Sequence, residues 1–180
     1  MKADWTVRLA RQDDIPALEE LIRLSVRRLQ ADHYSCAQIE AALGSVFGVD
    51  RQLIHDRTYF VVHRGNEIIG CGGWSKRKTL FGSDHHTSRD DAELDPTTDP
   101  ARIRAFFVHS AWARRGIARA ILEECERAIR AADFKAIELA ATLPGVPFYA
   151  ACGCTLREQM TVPLPNGLSL PIVRMTKNLR

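Results

Sequence analysis

A strand–helix–strand unit in the second half of the chain constrains the fold most strongly. Residues 103–108 are mostly apolar and predict a strand, and residues 136–140 predict a second one. Between them, residues 116–132 place apolar side chains at helical spacing on one face. Because a helix joins the two strands, they can lie side by side and parallel. The sheet of this protein is therefore expected to contain one parallel crossover.

The other strands are predicted to be mostly antiparallel. They span residues 5–9, 58–63, 68–74, 155–162 and 168–175. Turn-forming residues at 64–67 connect the first hairpin, and a Pro-Asn-Gly segment at 163–167 connects the last two strands. With the crossover, this makes about seven strands in a mixed, mostly antiparallel sheet.

Helices are predicted on both faces of this sheet, which gives an α/β (α+β) fold. Asp13 and Asp14 precede an apolar helical pattern that starts near residue 15, and a carboxylate there can cap the helix. A second helix is expected over residues 35–47 with Ser35 as its cap, and a short one over residues 147–151. The whole chain, residues 1–180, is predicted to form a single domain.

Composition argues against several classes of protein. The 180 residues are 46% hydrophobic, yet no apolar run approaches the roughly 18 residues of a membrane span. No apolar signal segment opens the chain, so a cytoplasmic location is expected. The net charge of +3 is spread out and resembles no nucleic-acid module. Five cysteines show no metal-site spacing, and no metal is expected.

The turn after the first strand of the crossover is the best candidate for a ligand site. Arg114 and Arg115 precede Gly116 at the start of the helix, and Arg119 follows one turn later. Free amides at a helix start, together with the helix dipole, favour a pyrophosphate. Taken alone, these residues fit a solvated helix start equally well.

Two motifs resemble the GNAT superfamily of acyl-CoA-dependent N-acetyltransferases. The stretch Ala113-Arg114-Arg115-Gly116-Ile117-Ala118 is similar to the family's Q/R-x-x-G-x-G/A signature. About thirty residues later, Phe148-Tyr149-Ala-Ala-Cys-Gly153-Cys154 is similar to its F-Y-x-x-x-G-F segment. The chain departs from the pattern at Ala113, at Cys154 and at Pro144, where the family often has asparagine. The order of predicted elements resembles the GNAT fold along nearly the whole chain.

This resemblance implies acetyl-CoA as co-substrate and direct attack of a primary amine on the thioester in a ternary complex. The backbone of Phe107 and Val108 would pair with pantetheine, and Tyr149 would protonate the departing thiolate. The implied pyrophosphate site consists of Arg114, Arg115, Gly116, Ile117, Ala118 and Arg119. The family also makes a homodimer a reasonable expectation.

The acceptor side is less defined by the sequence. Trp74 is a candidate aromatic wall of the pocket, and Arg104 is a candidate anchor for an anionic group that can equally point outward. Asp84, His85 and His86 lie in a long loop, residues 76–100, and offer titratable groups for a base. Ordered water or a neutral incoming amine would serve as well.

Two other functions remain open at this stage. A family member that binds acyl-CoA without turnover would sense the cofactor rather than use it. A nucleotide on the same helix start would need a G-x-G-x-x-G or Walker loop, and neither motif is present. The identity of the acceptor amine does not follow from the fold.

Overall fold

Seven strands form one mixed sheet in the computed structural model, which describes residues 4–179. The strand order is β1-β2-β3-β4-β5-β7-β6, and only β4 and β5 are parallel neighbours. The strands span Thr6–Leu9 (β1), Tyr59–Arg64 (β2), Glu67–Ser75 (β3), Ala101–Val108 (β4), Ala136–Thr142 (β5), Thr155–Pro163 (β6) and Ser169–Asn178 (β7). The predicted mixed sheet with one parallel crossover is confirmed.

Five α-helices flank the sheet in this part of the chain. They span Ile15–Leu29 (α1), Cys36–Ala42 (α2), Arg51–His55 (α3), Ile117–Ala131 (α4) and Val146–Ala151 (α5). Between residues 4 and 179, none of the helices combines the length and the apolar character that a bilayer crossing requires.

Apolar layers cover both faces of the sheet. Along β2, Tyr59 and Val61 belong to the core beneath α1, α2 and α3, whereas Phe60 and Val62 belong to the core beneath α4 and α5. This alternation is the two-residue period of a strand that is buried on both sides. The helices on both faces therefore agree with the prediction.

Three local predictions differ from the structure. Helix α2 ends at Ala42 rather than near residue 47, because Leu43 is extended and Gly44 takes a φ of +92°. Helix α3 was not predicted, since five residues are too few to show a helical period. The Asp14 carboxylate does not cap α1. It accepts hydrogen bonds from the Arg8 guanidinium and the Arg11 backbone N–H, at 2.7–2.8 Å.

A bulge in β4 shapes the centre of the sheet. Cys71 pairs with Phe107, but Gly73 pairs with Arg104, so β4 contains one residue more than β3 between these two pairs. Within the bulge, Ala105 adopts a left-handed conformation with a φ of +56°. The buried Tyr59 hydroxyl donates to the Ala105 carbonyl at 3.1 Å and thereby holds the bulge in place.

Strands β4 and β5 pair over only two positions. Ala101 is opposite Ile137 and Arg102 is opposite Glu138, and the described residues show no further pair between these strands. Beyond Arg102, the edge of β4 that faces β5 is therefore free of sheet hydrogen bonds. This gap in the sheet is where the candidate site lies.

The long segment between β3 and β4, residues 76–100, is fixed by buried ion pairs. Arg104 of β4 donates to the Asp50 carboxylate at 2.7 Å and to the carbonyls of Thr79 and Gly82 at 3.1 and 2.6 Å. Arg89 reaches the same carboxylate at 3.3 Å. The segment is thus attached both to the strand and to the start of α3.

Candidate active site

A cavity of about 680 Å³ lies at the gap between β4 and β5. We call its two ends the α4 end, lined by residues 112–114 and 116–119, and the α1 end, lined by residues 25, 29–30, 46–48 and 80–82. Residues 103–108 and 139–142 of the two strands also line it. A ligand that fills the cavity would therefore pass through the sheet from one helical layer to the other.

The α4 end presents a helix start without side-chain caps. Gly116 precedes the helix with a φ of +83°, and no side chain accepts from the first amides of α4. A Cβ at Gly116 would meet nothing within 4 Å, so the glycine is required by its backbone conformation rather than by space. The first backbone N–H groups of such a helix have no partner within the helix and carry its positive dipole end.

Positive side chains surround this helix start. Arg114 and Arg119 line the cavity, together with Ile117 and Ala118. Arg115 lies over the Trp112 ring at 5.0 Å from its centre. For residues 4–179, no salt bridge is found at any of the three arginines. Five of the six predicted pyrophosphate residues therefore line one cavity, whereas Arg115 lies outside its lining.

Strand β4 offers backbone groups next to the helix start. Phe107 and Val108 both line the cavity and pair with Cys71 and Gly70 of β3 along their other edge. The His109 N–H donates to the Ile69 carbonyl, so by alternation Phe107 also points its N–H and C=O toward β3. Those of Val108 point toward the gap, where no sheet partner is present among residues 4–179, and they need another partner. An extended chain that contains an amide can supply it.

Tyr149 of α5 lines the same cavity and is buried. The rings of Phe106 and Phe148 pack against it edge to face, with centres 6.1 and 4.9 Å away. Burial is the main reason that the pKa of Tyr149 is raised far above its ordinary value, and nearby cysteine thiols add to the rise. The phenol therefore keeps its proton at neutral pH and can act as a donor.

The structure corrects the predicted position of Trp74. This side chain is buried in the core under α4 and packs edge to face on Phe134 at 6.1 Å. It does not line the cavity. The pairing of β3 with β4 decides on which face of the sheet Trp74 lies. The sequence of β3 alone does not reveal this pairing.

The loop residues predicted as a base also lie outside the cavity lining. Asp84 accepts from the backbone and side chain of Arg51 at 2.8 and 2.9 Å, His85 is exposed, and His86 packs on Phe81 at 5.0 Å. The pKa of His86 is lowered, mainly by burial. These groups order the loop, and none of them faces the cavity that contains Tyr149.

Arg104 lines the cavity but is occupied by other partners. It is only 3% exposed, and its guanidinium donates to the Asp50 carboxylate and to two loop carbonyls. These contacts give Arg104 a role in holding the loop, and its role as an anchor for an anionic substrate stays a prediction. Glu138 on the neighbouring strand β5 is paired with Arg102 and Arg174 and does not line the cavity.

Sequence reasoning missed two residues that shape the site. Gln30 and Ser25 line the α1 end and lie on the buried face of α1 or directly after it. The sequence did contain a sign of their role. Both residues continue the helical spacing of Leu18, Leu21 and Val26, but they are polar at positions where this spacing predicts apolar side chains.

Gly70 sets the height of α4 above the sheet. A Cβ at this position would stand 2.5 Å from Cγ2 of Ile117, in the first turn of the helix. We expect Gly70→Ala to displace that turn and to lower the free energy of unfolding by about 1–3 kcal/mol in urea denaturation. In an Ile117→Ala background the same change should be nearly neutral. If Gly70→Ala lowered the free energy of unfolding equally in both backgrounds, this contact with Ile117 would not be the cause.

Comparisons with solved structures show the same fold. The chain is similar to the GCN5-related N-acetyltransferase of Rhodopseudomonas palustris, with 20% identity, a TM-score of 0.71 and coverage of 97% of this chain and 95% of that one. The PaiA N-acetyltransferase of Thermoplasma acidophilum in complex with coenzyme A has 14% identity, a TM-score of 0.65 and coverage of 97% and 98%. The Escherichia coli ribosomal-protein-S18-alanine N-acetyltransferase has 14% identity, a TM-score of 0.59 and coverage of 97% and 94%.

Comparison of the sequence with protein-family models identifies the family of this chain. Among curated proteins, none matches this chain. The family model of the GNAT acetyltransferases matches residues 19–154, which include the helix start at Gly116 and the α5 residue Tyr149. The match covers most of the chain and its whole crossover. The chain therefore belongs to the acetyltransferase (GNAT) family of acyltransferases.

Proposed function

We propose that the chain transfers the acetyl group of acetyl-CoA to a primary amine, with both substrates bound together. The observation that carries this proposal is one cavity whose lining includes the uncapped start of α4, the free edge of β4 and Tyr149. Among the structural relatives, one contains coenzyme A and another is named for acetylation of a protein alanine. These names support an amine acceptor without identifying it.

The residues of the α4 end fit acetyl-CoA. The amides of Gly116, Ile117 and Ala118 would hold the pyrophosphate, and Arg114 and Arg119 would add charge-assisted contacts. The backbone of Val108 would bind a pantetheine amide along the gap, as a neighbouring strand does, while Phe107 lines the same path. Acetyl-CoA supplies the activated acetyl group.

Three parts of the chain then act on the reacting groups. A β4 backbone N–H near Val108 would polarise the thioester carbonyl, as in a small oxyanion hole. Tyr149 would donate its proton to the departing thiolate sulfur, and the proton that the attacking nitrogen loses would restore the phenol through water. For residues 4–179, the cavity lining includes arginines but neither a carboxylate nor an imidazole. The amine is therefore expected to enter neutral, or to lose its proton to water.

Thiol release from acetyl-CoA with a panel of primary amines tests this proposal. Release should depend on the amine, and Arg119→Glu should raise the Kd of acetyl-CoA at least about tenfold, because a charge-assisted contact becomes a repulsion. Arg127→Glu, an equal charge change two turns later on the exposed side of α4, is the control and should leave the Kd nearly unchanged.

Two results would contradict the proposal in different ways. Tight binding of acetyl-CoA without thiol release for any amine would indicate a sensor of acyl-CoA. An equal effect of Arg119→Glu and Arg127→Glu would show that the α4 start does not hold the pyrophosphate.

A further inference from the structure

The α1 end of the cavity has mainly apolar walls. Val46 and Phe47 come from the turn after α2, Leu80 and Phe81 from the long loop, and Ile172 from β7. Phe47 packs edge to face on Phe107, with ring centres 6.3 Å apart. A ligand here is therefore surrounded by side chains that cannot replace water around a charge.

Two buried polar side chains from α1 and the residue after it, Ser25 and Gln30, interrupt these walls. Gln30, the residue after α1, lines the cavity and is only 7% exposed. For Gln30, the Oε1 atom is buried and finds no hydrogen-bond partner among residues 4–179. The backbone N–H of Gln30 donates to the Val26 carbonyl, so the missing hydrogen bond is one of the side chain alone.

An unpartnered buried carbonyl oxygen lowers stability, because it gives up water without a replacement. A leucine or methionine would fill the same space without this loss. The polar side chain is therefore better explained by a partner that comes with the substrate. An N–H or O–H of that substrate would provide the missing donor.

The charge around this end limits which amines fit. Arg104 is the ionic side chain in the lining near Gly82, and its charge is balanced by Asp50. No acid in residues 4–179 contributes to the lining, so a second ammonium group on the acceptor would be desolvated without a counter-ion. Diamines and polyamines are disfavoured on this ground.

We infer that Gln30 binds the acceptor through Oε1, which accepts a hydrogen bond from its N–H or O–H, and that the acceptor is a compact monoamine with an apolar body. This inference rests on the proposed acetyl transfer and names its substrate class. Gln30 thereby becomes a residue that positions the acceptor and contributes to specificity.

Two matched probes test the substrate class. Hexylamine and hexamethylenediamine have the same chain and differ by one terminal amine. The kcat/KM for hexylamine should exceed that for the diamine at least about tenfold, since the second ammonium group loses its water in the apolar end. Equal or better use of the diamine by the unchanged protein would overturn the inference about class.

Gln30→Met tests the hydrogen bond. We expect the KM for hexylamine to rise about tenfold with little change in the KM for acetyl-CoA, because one contact to the acceptor is lost. At the same time the Tm of the ligand-free protein should rise by about 2–4 °C, since the buried oxygen is removed. Gln159→Met, on the exposed strand β6, is the control and should change neither value. A fall in Tm with Gln30→Met would show that Gln30 serves the fold and would overturn the role.

Gln30→Glu gives a readout that a structural role would not produce. A carboxylate at this position supplies the missing counter-ion, so the ratio of kcat/KM for diamine to that for hexylamine should increase. An unchanged ratio would count against contact between Gln30 and the acceptor.

The role of Gln30 and the acetyl transfer can be tested separately, because each can fail while the other holds. Thiol release with amines but without these effects of Gln30 would overturn the inference alone. If acetyl-CoA binds and no amine releases thiol, the proposed function fails. Calorimetric binding of hexylamine in the presence of coenzyme A then decides the role of Gln30, because wild type should bind more tightly than Gln30→Met.

Discussion

Tyr149→Phe is expected to lower kcat about 10²–10⁴-fold while changing the Kd of acetyl-CoA less than about threefold. The substitution removes one hydroxyl from a buried ring that lines the cavity and keeps the contacts with Phe106 and Phe148. Only the proton donor to the leaving thiolate is lost. Steady-state kinetics and calorimetric titration of acetyl-CoA would separate the two effects.

The pH dependence gives an independent check of this role. Because burial raises the pKa of Tyr149, its phenol remains protonated above pH 10, where an ordinary tyrosine begins to ionise. The acid form is the active one, so wild-type activity should not fall with an apparent pKa near 10. If wild-type activity did fall near pH 10 and Tyr149→Phe removed that fall, the pKa of Tyr149 would not be raised.

Tyr34→Phe is the matched control for the hydroxyl. The Tyr34 hydroxyl donates to the Pro171 carbonyl at 2.7 Å and accepts from the Leu143 N–H at 2.9 Å. Its loss should lower the free energy of unfolding by about 1–3 kcal/mol and reduce kcat far less than Tyr149→Phe does. Comparable losses of kcat in both variants would contradict the assignment of Tyr149 as the acid.

Asp50→Ala is expected to reduce the free energy of unfolding by about 3–5 kcal/mol. The carboxylate is fully buried, accepts from Arg104 at 2.7 Å and Arg89 at 3.3 Å, and also accepts from the first turn of α3 through Gln52 N at 3.1 Å. Burial already lowers the pKa of Arg104, and the charge of Asp50 opposes this. Without Asp50, a guanidinium that is 3% exposed has no counter-ion. Urea denaturation followed by circular dichroism would measure the loss.

Two further variants define the origin of that loss. Glu93→Ala removes an exposed partner of Lys76 and should change the free energy of unfolding by less than about 1 kcal/mol. The double change Asp50→Leu with Arg104→Met should lose less than Asp50→Ala alone, because no unpaired charge remains buried. A double variant that is less stable than Asp50→Ala would show that the pair itself, and not the orphaned charge, matters.

Local sequence patterns predicted the part of the site that depends on local geometry. The start of α4 at Gly116 and the position of Tyr149 on a short helix follow from residues close together in the chain. The crossover was predictable for the same reason, since the helix and its two strands are consecutive. The family resemblance then connected the two motifs across the sheet.

The acceptor side was not predictable, because it depends on how strands face each other. In β4, the bulge at Ala105 adds one residue and reverses the alternation that would assign Arg104 to a face. The side of the sheet on which Trp74 is buried depends on the same register. Likewise, Asp84 of the long loop was a candidate base by its residue type, but it is paired with Arg51.

Strand β4 serves both ends of the cavity. Its free edge borders the α4 end, and Arg104 on the same strand holds the carbonyls of Thr79 and Gly82, next to Leu80 and Phe81 in the α1 end. A first ligand that restricts the motion of this strand at one end of the cavity costs conformational entropy. A second ligand that binds at the other end then loses less entropy, because the strand is already ordered. The two substrates should therefore bind with positive cooperativity, and thermodynamic reciprocity requires the factor to be the same in both orders of addition.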